Sequence, residues 1–243
     1  MFKKKGFIMA FILIISMIGM TACKKNVGAP EDNAQAEENE DETNTNTEET
    51  QEHLIGFSVI DMENPYFITL ESAAKAELEK AGYRMITKNP ETDSKLQETQ
   101  IQEMIDEGIE AIILSPVDWE KIPPSLQALK KAGVKIINVD TQVKEMEYVD
   151  AYIGSDNQKA GYICGEDLIT KCPDGGKIAI LECPTQNSIN DRITGFEEAI
   201  AQAENGFEVV ERMDTKGEFE LALEAAQKIL EEHPDISAIM CGN

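Results

Sequence analysis

The chain has 243 residues, 42% of them hydrophobic, and carries 46 acidic against 22 basic side chains for a formal charge of −24. An anionic surface repels phosphates instead of releasing counterions, which argues against nucleic-acid binding and against a simple basic membrane-surface protein. One Trp and two His leave little for a base-stacking platform or a His-rich metal site, and the length fits one large domain or two lobes of about 100 residues each.

In chain order, residues 1–23 read as an address. Lys3, Lys4 and Lys5 form a positive cluster ahead of an apolar run over 6–20. That run is shorter than the roughly 20 residues a membrane-spanning helix needs and fits the h-region of a secretory signal. Met20-Thr21-Ala22-Cys23 resembles a bacterial lipobox, with Met20 in place of the usual Leu. The resemblance implies that the Cys23 thiol is acylated and becomes the new N-terminus; an ordinary signal with an incidental cysteine is the alternative. Residues 24–53 follow with ten Asp or Glu, Lys24 and Lys25 as the sole cations, and Val27 as the sole large apolar residue. Such a segment cannot bury enough surface to offset its chain entropy. It reads as an acidic disordered tether with a root-mean-square span of roughly 30 Å. A binding tail is the alternative, but no periodicity supports one.

From residue 54 strand and helix patterns alternate. Strands are expected at 54–60, 83–87, 111–114, 135–139, 152–154, 177–181, 207–212 and 236–240. Helices are expected at 65–81, 93–107, 123–132, 157–171, 190–203 and 218–232, with Gly82, Gly108 and Gly133 as stops and Asp156 as an N-cap. This alternation implies an α/β protein with parallel sheets covered on both faces. Ligands of such sheets sit beyond the carboxyl ends of the strands.

Few polar residues occupy those ends. Asp61, Glu63, Asn64, Tyr66 and Phe67 follow the first strand, Ser115 and Asp118 the third, and Asp140, Thr141 and Gln142 the fourth. In the second half the loop 182–191 leads to Arg192, and the last strand ends in Cys241-Gly242-Asn243. A carboxylate accepts from paired hydroxyls, Arg donates to oxygens, Asn does both, and aromatic rings cover the apolar faces of a sugar ring. The set suits a polyhydroxylated neutral molecule. Each residue also has a purely structural reading: Asn64 as the cap of the helix that Pro65 begins, Phe67 as core, Asp140 as a turn cap, Arg192 as the partner of a nearby carboxylate.

The order of several stretches resembles the ribose/galactose-type periplasmic binding proteins, the solute receptors of sugar ABC transporters. The stretches are Asn64-Pro65-Tyr66-Phe67, residues 108–116, residues 133–140 ending in Asp140, Ile153-Gly154-Ser155-Asp156-Asn157 with Ala160-Gly161, Arg192-Ile193-Thr194-Gly195-Phe196, and His233-Pro234-Asp235. The resemblance implies two Rossmann-like doubly wound lobes, 54–154 and 155–243, that clamp a sugar or polyol between them. It places Asn64, Tyr66 or Phe67, Ser115, Asp140 with Thr141 beside it, Arg192 and Asn243 on the cleft, and makes Asp156 structural. It also implies a monomer with no cofactor, metal or nucleic acid, anchored outside the cell membrane by its lipid and handing its ligand to an ABC permease. A sensory receptor working with a signalling membrane protein is the alternative.

The sequence departs from that family in three places. Ribose receptors carry Arg directly after the Asp of the fourth strand, where Thr141 stands here, so ribose itself is in doubt and inositol or another polar metabolite fits as well. The usual aromatic of the second lobe aligns with Gly217, two residues before Phe219. Family members also continue well beyond the strand ending in Asn243, so the second lobe is expected to be incomplete, truncated on its C-terminal side.

Cys183 and Cys241 end strands that a doubly wound order makes neighbours, so a disulfide is open in an extracytoplasmic protein, although adjacent parallel strands seldom offer the geometry for one. Cys164 is expected to be a small buried helix residue. An enzyme is the first rival reading. However, no GxGxxG follows the first strand, there is no GxxxxGK[ST] and no nucleophile elbow, and neither His is expected at a strand end with a carboxylate partner. A sugar-responsive transcription regulator is the second rival; it needs a basic helix-turn-helix where this protein has a signal.

Overall fold

A computed structural model describes residues 53–243. The signal expected over 1–23, the expected acylation of Cys23 and the tether expected over 24–53 lie outside the described residues, except that His53 begins the first strand. The first strand therefore begins one residue before the expected 54. The first half of the described part runs β1 (His53–Ser58), α1 (Pro65–Lys80), β2 (Tyr83–Lys88), α2 (Ser94–Asp106), β3 (Ala111–Leu114), α3 (Pro123–Lys131), β4 (Lys135–Val139) and β5 (Ala151–Ile153). The second half runs α4 (Asn157–Lys171), β6 (Gly176–Glu182), α5 (Asn187–Ile200), β7 (Phe207–Asp214), α6 (Phe219–Glu232) and β8 (Ile236–Cys241).

The strands form two wholly parallel sheets, ordered β2-β1-β3-β4-β5 and β7-β6-β8. This is the expected α/β architecture. In the first sheet, Ile112, Leu114 and Ile136 pack with Ile101 and Met104 of α2 and Leu126 and Leu129 of α3. Phe57 and Met85 meet Phe67, Leu70 and Ala74 of α1 on the other face. In the second sheet, Ile178, Ile180 and Met240 pack on Ile189, Ile193 and Phe196 of α5, while Ala179 and Leu181 pack on Ala225 and Ile229 of α6. Burial on both faces is why runs such as Ala111–Leu114 carry no polar alternation. Each sheet reverses its winding beside its first strand, at β1/β3 and at β6/β8. The loops that leave those strands therefore open onto a ligand crevice.

Local chemistry sets the element ends. Asn64, Asp93 and Asp156 each accept a backbone N–H of the first helical turn. Helix α5 starts three residues before the expected 190, because Gln186 is extended and Asn187-Ser188 enters the helix instead of the loop. Strand β7 runs two residues longer than expected, to Asp214, and a short 3-10 helix at Met146–Tyr148 stands where the sequence pattern shows no element.

The cysteines correct one expectation, that Cys164 is buried, and close the open pairing. Cys164, Cys172, Cys183 and Cys241 are all free, and Cys164 is exposed, not buried. Cys183 lies beyond β6 in the same core as Met240. Side chains alternate along a strand, so Cys241 points to the opposite, α6-facing side and cannot meet it. His53 also differs from expectation: its Nδ1 sits 2.7 Å from the Glu110 carboxylate, although at the amino end of β1.

Asp150 ties the far edge of the first sheet together. Its carboxylate accepts from the Ile136 backbone N–H at 3.0 Å, Lys135 Nζ at 3.0 Å and Lys130 Nζ at 3.2 Å. The backbone N–H above all, and then the Lys135 ammonium, hold its pKa at about 2, below the ordinary 3.8. A depressed carboxyl pKa contributes stability that is complete above the unfolded value and is lost as pH falls through the folded one. Asp150→Asn is expected to lower the melting temperature at pH 7 and to flatten the loss of stability between about pH 4 and pH 2. Parallel acid dependence of the two proteins in thermal melts would contradict this.

Candidate functional site

The carboxyl ends of both sheets border a cavity of about 680 Å³. The first sheet supplies residues of the β1–α1 loop, the start of α1, and Asp140 from the end of β4; the second supplies Gln186, Ser188, Arg192, Gly217 and Asn243. Of the residues read from the sequence, Asn64, Tyr66, Phe67, Asp140, Arg192 and Asn243 therefore line one cavity. Ser115 and Thr141 do not. Ser115 is fully buried; its backbone N–H bonds to Ser58 O and its carbonyl accepts from Gln97, so it is part of the floor under the crevice. Thr141 is also fully buried, and its hydroxyl is taken up by protein partners.

The two readings of Asn64 prove compatible. Its Oδ1 accepts the Tyr66 N–H at 2.9 Å and caps α1, which leaves the Nδ2 donors at the cavity. Tyr66 stands half exposed against buried Phe67, ring centroids 5.1 Å apart and steeply inclined to each other. Phe67 belongs to the α1-facing core and also contributes to the cavity wall.

Asp140 is held with unusual firmness. Its φ is +60°, a left-handed conformation that Asp and Asn tolerate better than other side chains. Buried Asn138 sets this turn: its Nδ2 donates to Leu114 O and Thr141 O, and its Oδ1 accepts the Val143 N–H. Tyr152 donates its hydroxyl to Asp140 O at 2.8 Å, and the Asp140 N–H reaches Ile153 O at 3.0 Å. Burial pushes the Asp140 carboxyl above its usual range, against the hydrogen bond from Thr141 and the charge of Arg192. Tyr66 and Tyr152 are likewise raised, first by burial and then by the Asp140 charge.

Arg192 reaches the cavity from α5. Its Nε donates to Asn157 Oδ1 at 2.9 Å and its Nη1 to Gly242 O at 2.7 Å, leaving the other terminal nitrogen for a ligand. This posture depends on the contact between α4 and α5. A Cβ on Gly161 would overlap the carbonyl oxygen of Arg192, and one on Gly195 would overlap that of Gln158. Only glycine lets these helices approach so closely.

Lining residues that the sequence did not single out include Thr92, Gln186, Ser188, Lys216, Gly217 as a wall, and Glu218. Thr215–Glu218 is a tight turn, closed by Glu218 N to Thr215 O at 2.8 Å, with Lys216 at φ +53° and Gly217 at φ +75°. Lys-Gly between a strand and a helix is a turn signal, but which side chains the turn delivers depends on where β7 stops. Gly217 approaches Asn243 Nδ2, where a larger residue would crowd the wall. Phe219, highly exposed, stands at the rim.

Acceptors and donors from both sheets thus surround the cavity, and its lining holds neither His nor Cys. Among the described residues, Glu211, Glu232 and His233 could together hold a metal ion. They cluster around the carboxyl end of α6, whereas its amino end faces the cavity. Among the described residues no helix is long and apolar enough to cross a membrane.

Residues 55–243 match the family described as periplasmic binding protein domain. The chain is 27% identical over 194 residues to the ribose import binding protein of Bacillus subtilis, covering 79% of this chain and 62% of that protein. It is 30% identical over 190 residues to the D-ribose/D-allose-binding protein of Pseudomonas aeruginosa, covering 74% and 59%. The chain therefore spans about three-fifths of the length of these curated relatives. An ABC transporter solute-binding protein of Mycobacterium smegmatis, solved with bound glycerol, aligns with a TM-score of 0.72 at 30% identity over 78% of this chain and 66% of its own.

Gly161→Ala is expected to cost about 1–3 kcal/mol, the usual range for overpacking. Chemical denaturation checks it; an unchanged midpoint would show that α4 and α5 can separate without penalty.

Proposed function

The chain belongs to the periplasmic binding protein domain family, and from that premise we propose that it captures a sugar or sugar-like polyol outside the cytoplasmic membrane and passes it to an ABC permease. The relatives are sugar-binding transport proteins, not enzymes, and binding without turnover is the corresponding role for this protein. The observation that carries it is the convergence of Asp140 from the first sheet and Arg192 from the second on one cavity. A ligand that bonds to both favours the form in which the halves are closed upon it, and the population shifts accordingly. In this reading the closing bodies are residues 54–154 and 155–243, and the protein acts as a monomer.

The cavity's charges favour a neutral ligand. Asp61, Glu63, Asp140 and Glu218 face only Arg192 and Lys216 there. An anionic ligand such as a sugar phosphate would meet excess negative charge, while hydroxyl groups can use both the carboxylates and the donors. D-ribose and D-allose, named for the Pseudomonas aeruginosa relative, are the first compounds to try. In the same reading Cys23 carries the lipid that holds the protein at the membrane, with 24–53 as its spacer.

The test is titration calorimetry of the mature gene product with D-ribose, D-allose and myo-inositol. Binding of at least one is expected, and Asp140→Asn should weaken it about 10- to 100-fold, as for hydrogen bonds to a charged group. Asn keeps the left-handed backbone while removing the charge. Because burial raises the Asp140 pKa, binding should weaken on acidification at a higher pH than an ordinary carboxyl would dictate. Equal affinity of both proteins at every pH would remove Asp140 from the site. For the anchor, mass spectrometry of the mature protein is expected to find Cys23 at the N-terminus carrying a lipid; an unmodified or removed Cys23 would refute acylation.

A further inference from the structure

The β6–α5 loop is fastened to the opposite sheet. Trp119, from the loop after β3, donates its backbone N–H to Thr185 O at 3.0 Å and its indole Nε1–H to Pro184 O at 3.3 Å. Lys144 steadies that indole: its N–H reaches Trp119 O, and its ammonium lies 5.6 Å from the ring centroid. Beside this seam, Thr141 Oγ1 and Ser188 Oγ are 2.8 Å apart, both side chains buried.

Proton counting fixes the direction of this last bond. Thr141 Oγ1 lies 3.3 Å from Asp140 Oδ2, and an ionised carboxylate only accepts. Thr141 has one hydroxyl proton, so it donates to Asp140, and Ser188 must donate to Thr141. A hydrogen-bond series from Ser188 through Thr141 to Asp140 thus runs from the first turn of α5 to the carboxylate at the end of β4. We propose that Ser188 and Thr141 are positioning residues that orient the Asp140 carboxylate and make that orientation depend on the seating of α5 against the β4 loop. The proposal rests on the reading of Asp140 as a ligand contact.

Arg192 from α5, Tyr66 from α1 and Tyr152 from β5 act directly with Asp140, Asp191 of α5 acts on Tyr152, and Asp61, Glu63, Lys216 and Glu218 share the cavity. None of them is altered by changing Thr141 or Ser188, so a ligand-free measurement isolates the series. The titration of Asp140 is followed by carboxyl-carbon NMR in the wild type and in Thr141→Val, Thr141→Ser and Ser188→Ala. Thr141→Val should raise the Asp140 midpoint by removing its donor, Ser188→Ala should raise it less, and Thr141→Ser should restore it. In parallel, D-ribose or whichever sugar the wild type binds should lose up to about tenfold in affinity in Thr141→Val and little in Thr141→Ser.

Should Thr141→Val fail to fold, the comparison of Ser188→Ala with Thr141→Ser carries the same test. Unchanged Asp140 midpoints in Thr141→Val or in Ser188→Ala would overturn the proposal. A wild type that binds no sugar while the midpoints move as expected would sink the ligand reading and leave the hydrogen-bond series standing. Moved midpoints with unchanged affinity would show that the series tunes Asp140 without serving the ligand, which also contradicts the proposal.

Discussion

A buried carboxylate at the end of a parallel strand must be supplied with donors or it loses its charge, and Asp140 is where this protein meets that demand. The strand delivers it on a left-handed backbone, which buried Asn138 and the Tyr152 hydroxyl hold from either side. Burial still lifts its pKa, so the charge is only partly compensated by the protein. What remains is a strong acceptor facing a cavity, the kind of group that a ligand hydroxyl completes. Much of the surrounding structure serves this position, from the Asn138 bonds to Leu114 and Thr141 to the close packing that brings Arg192 opposite.

The second sheet contributes by rigidity more than by charge. Gly161 and Gly195 let α4 and α5 touch backbone to backbone, and Arg192 is then pinned by Asn157 and by Gly242 at the end of β8. A guanidinium already committed through two nitrogens loses little freedom on meeting a ligand, which favours binding. The seam through Trp119, Thr185, Thr141 and Ser188 holds the two halves in register independently of that guanidinium. Under the proposed function, affinity is set jointly by the contacts and by how readily the halves take up their closed arrangement.

The sequence carried the fold because parallel strands buried on both faces write themselves as apolar runs, as in residues 111–114 and 178–181. Helix ends were legible where Asn64, Asp93 and Asp156 cap them and where glycines follow. The start of α5 was not, since Gln186-Asn187-Ser188 reads as loop and only packing of Ile189 and Ile193 beneath it draws the helix back. For the site, residues at strand ends were visible as a set, but their depth was not. Ser115 and Thr141 occupy strand ends like Asp140 and yet are fully buried; Ser188 engages the Thr141 hydroxyl, whereas Gln97 bonds only the Ser115 carbonyl. Lys216 and Glu218 were not legible, because their delivery to the cavity depends on β7 ending at Asp214. Strand phase keeps Cys183 and Cys241 apart, which spacing alone does not reveal.

A crystal structure of the gene product grown with the tightest-binding sugar found by calorimetry tests the shared role of the two halves most directly. The sugar is expected between the Asp140 carboxylate and the Arg192 guanidinium, with hydroxyls within hydrogen-bond distance of both and Tyr66 against the ring. Sugar density in contact with residues of one sheet alone, or outside this cavity, would contradict it.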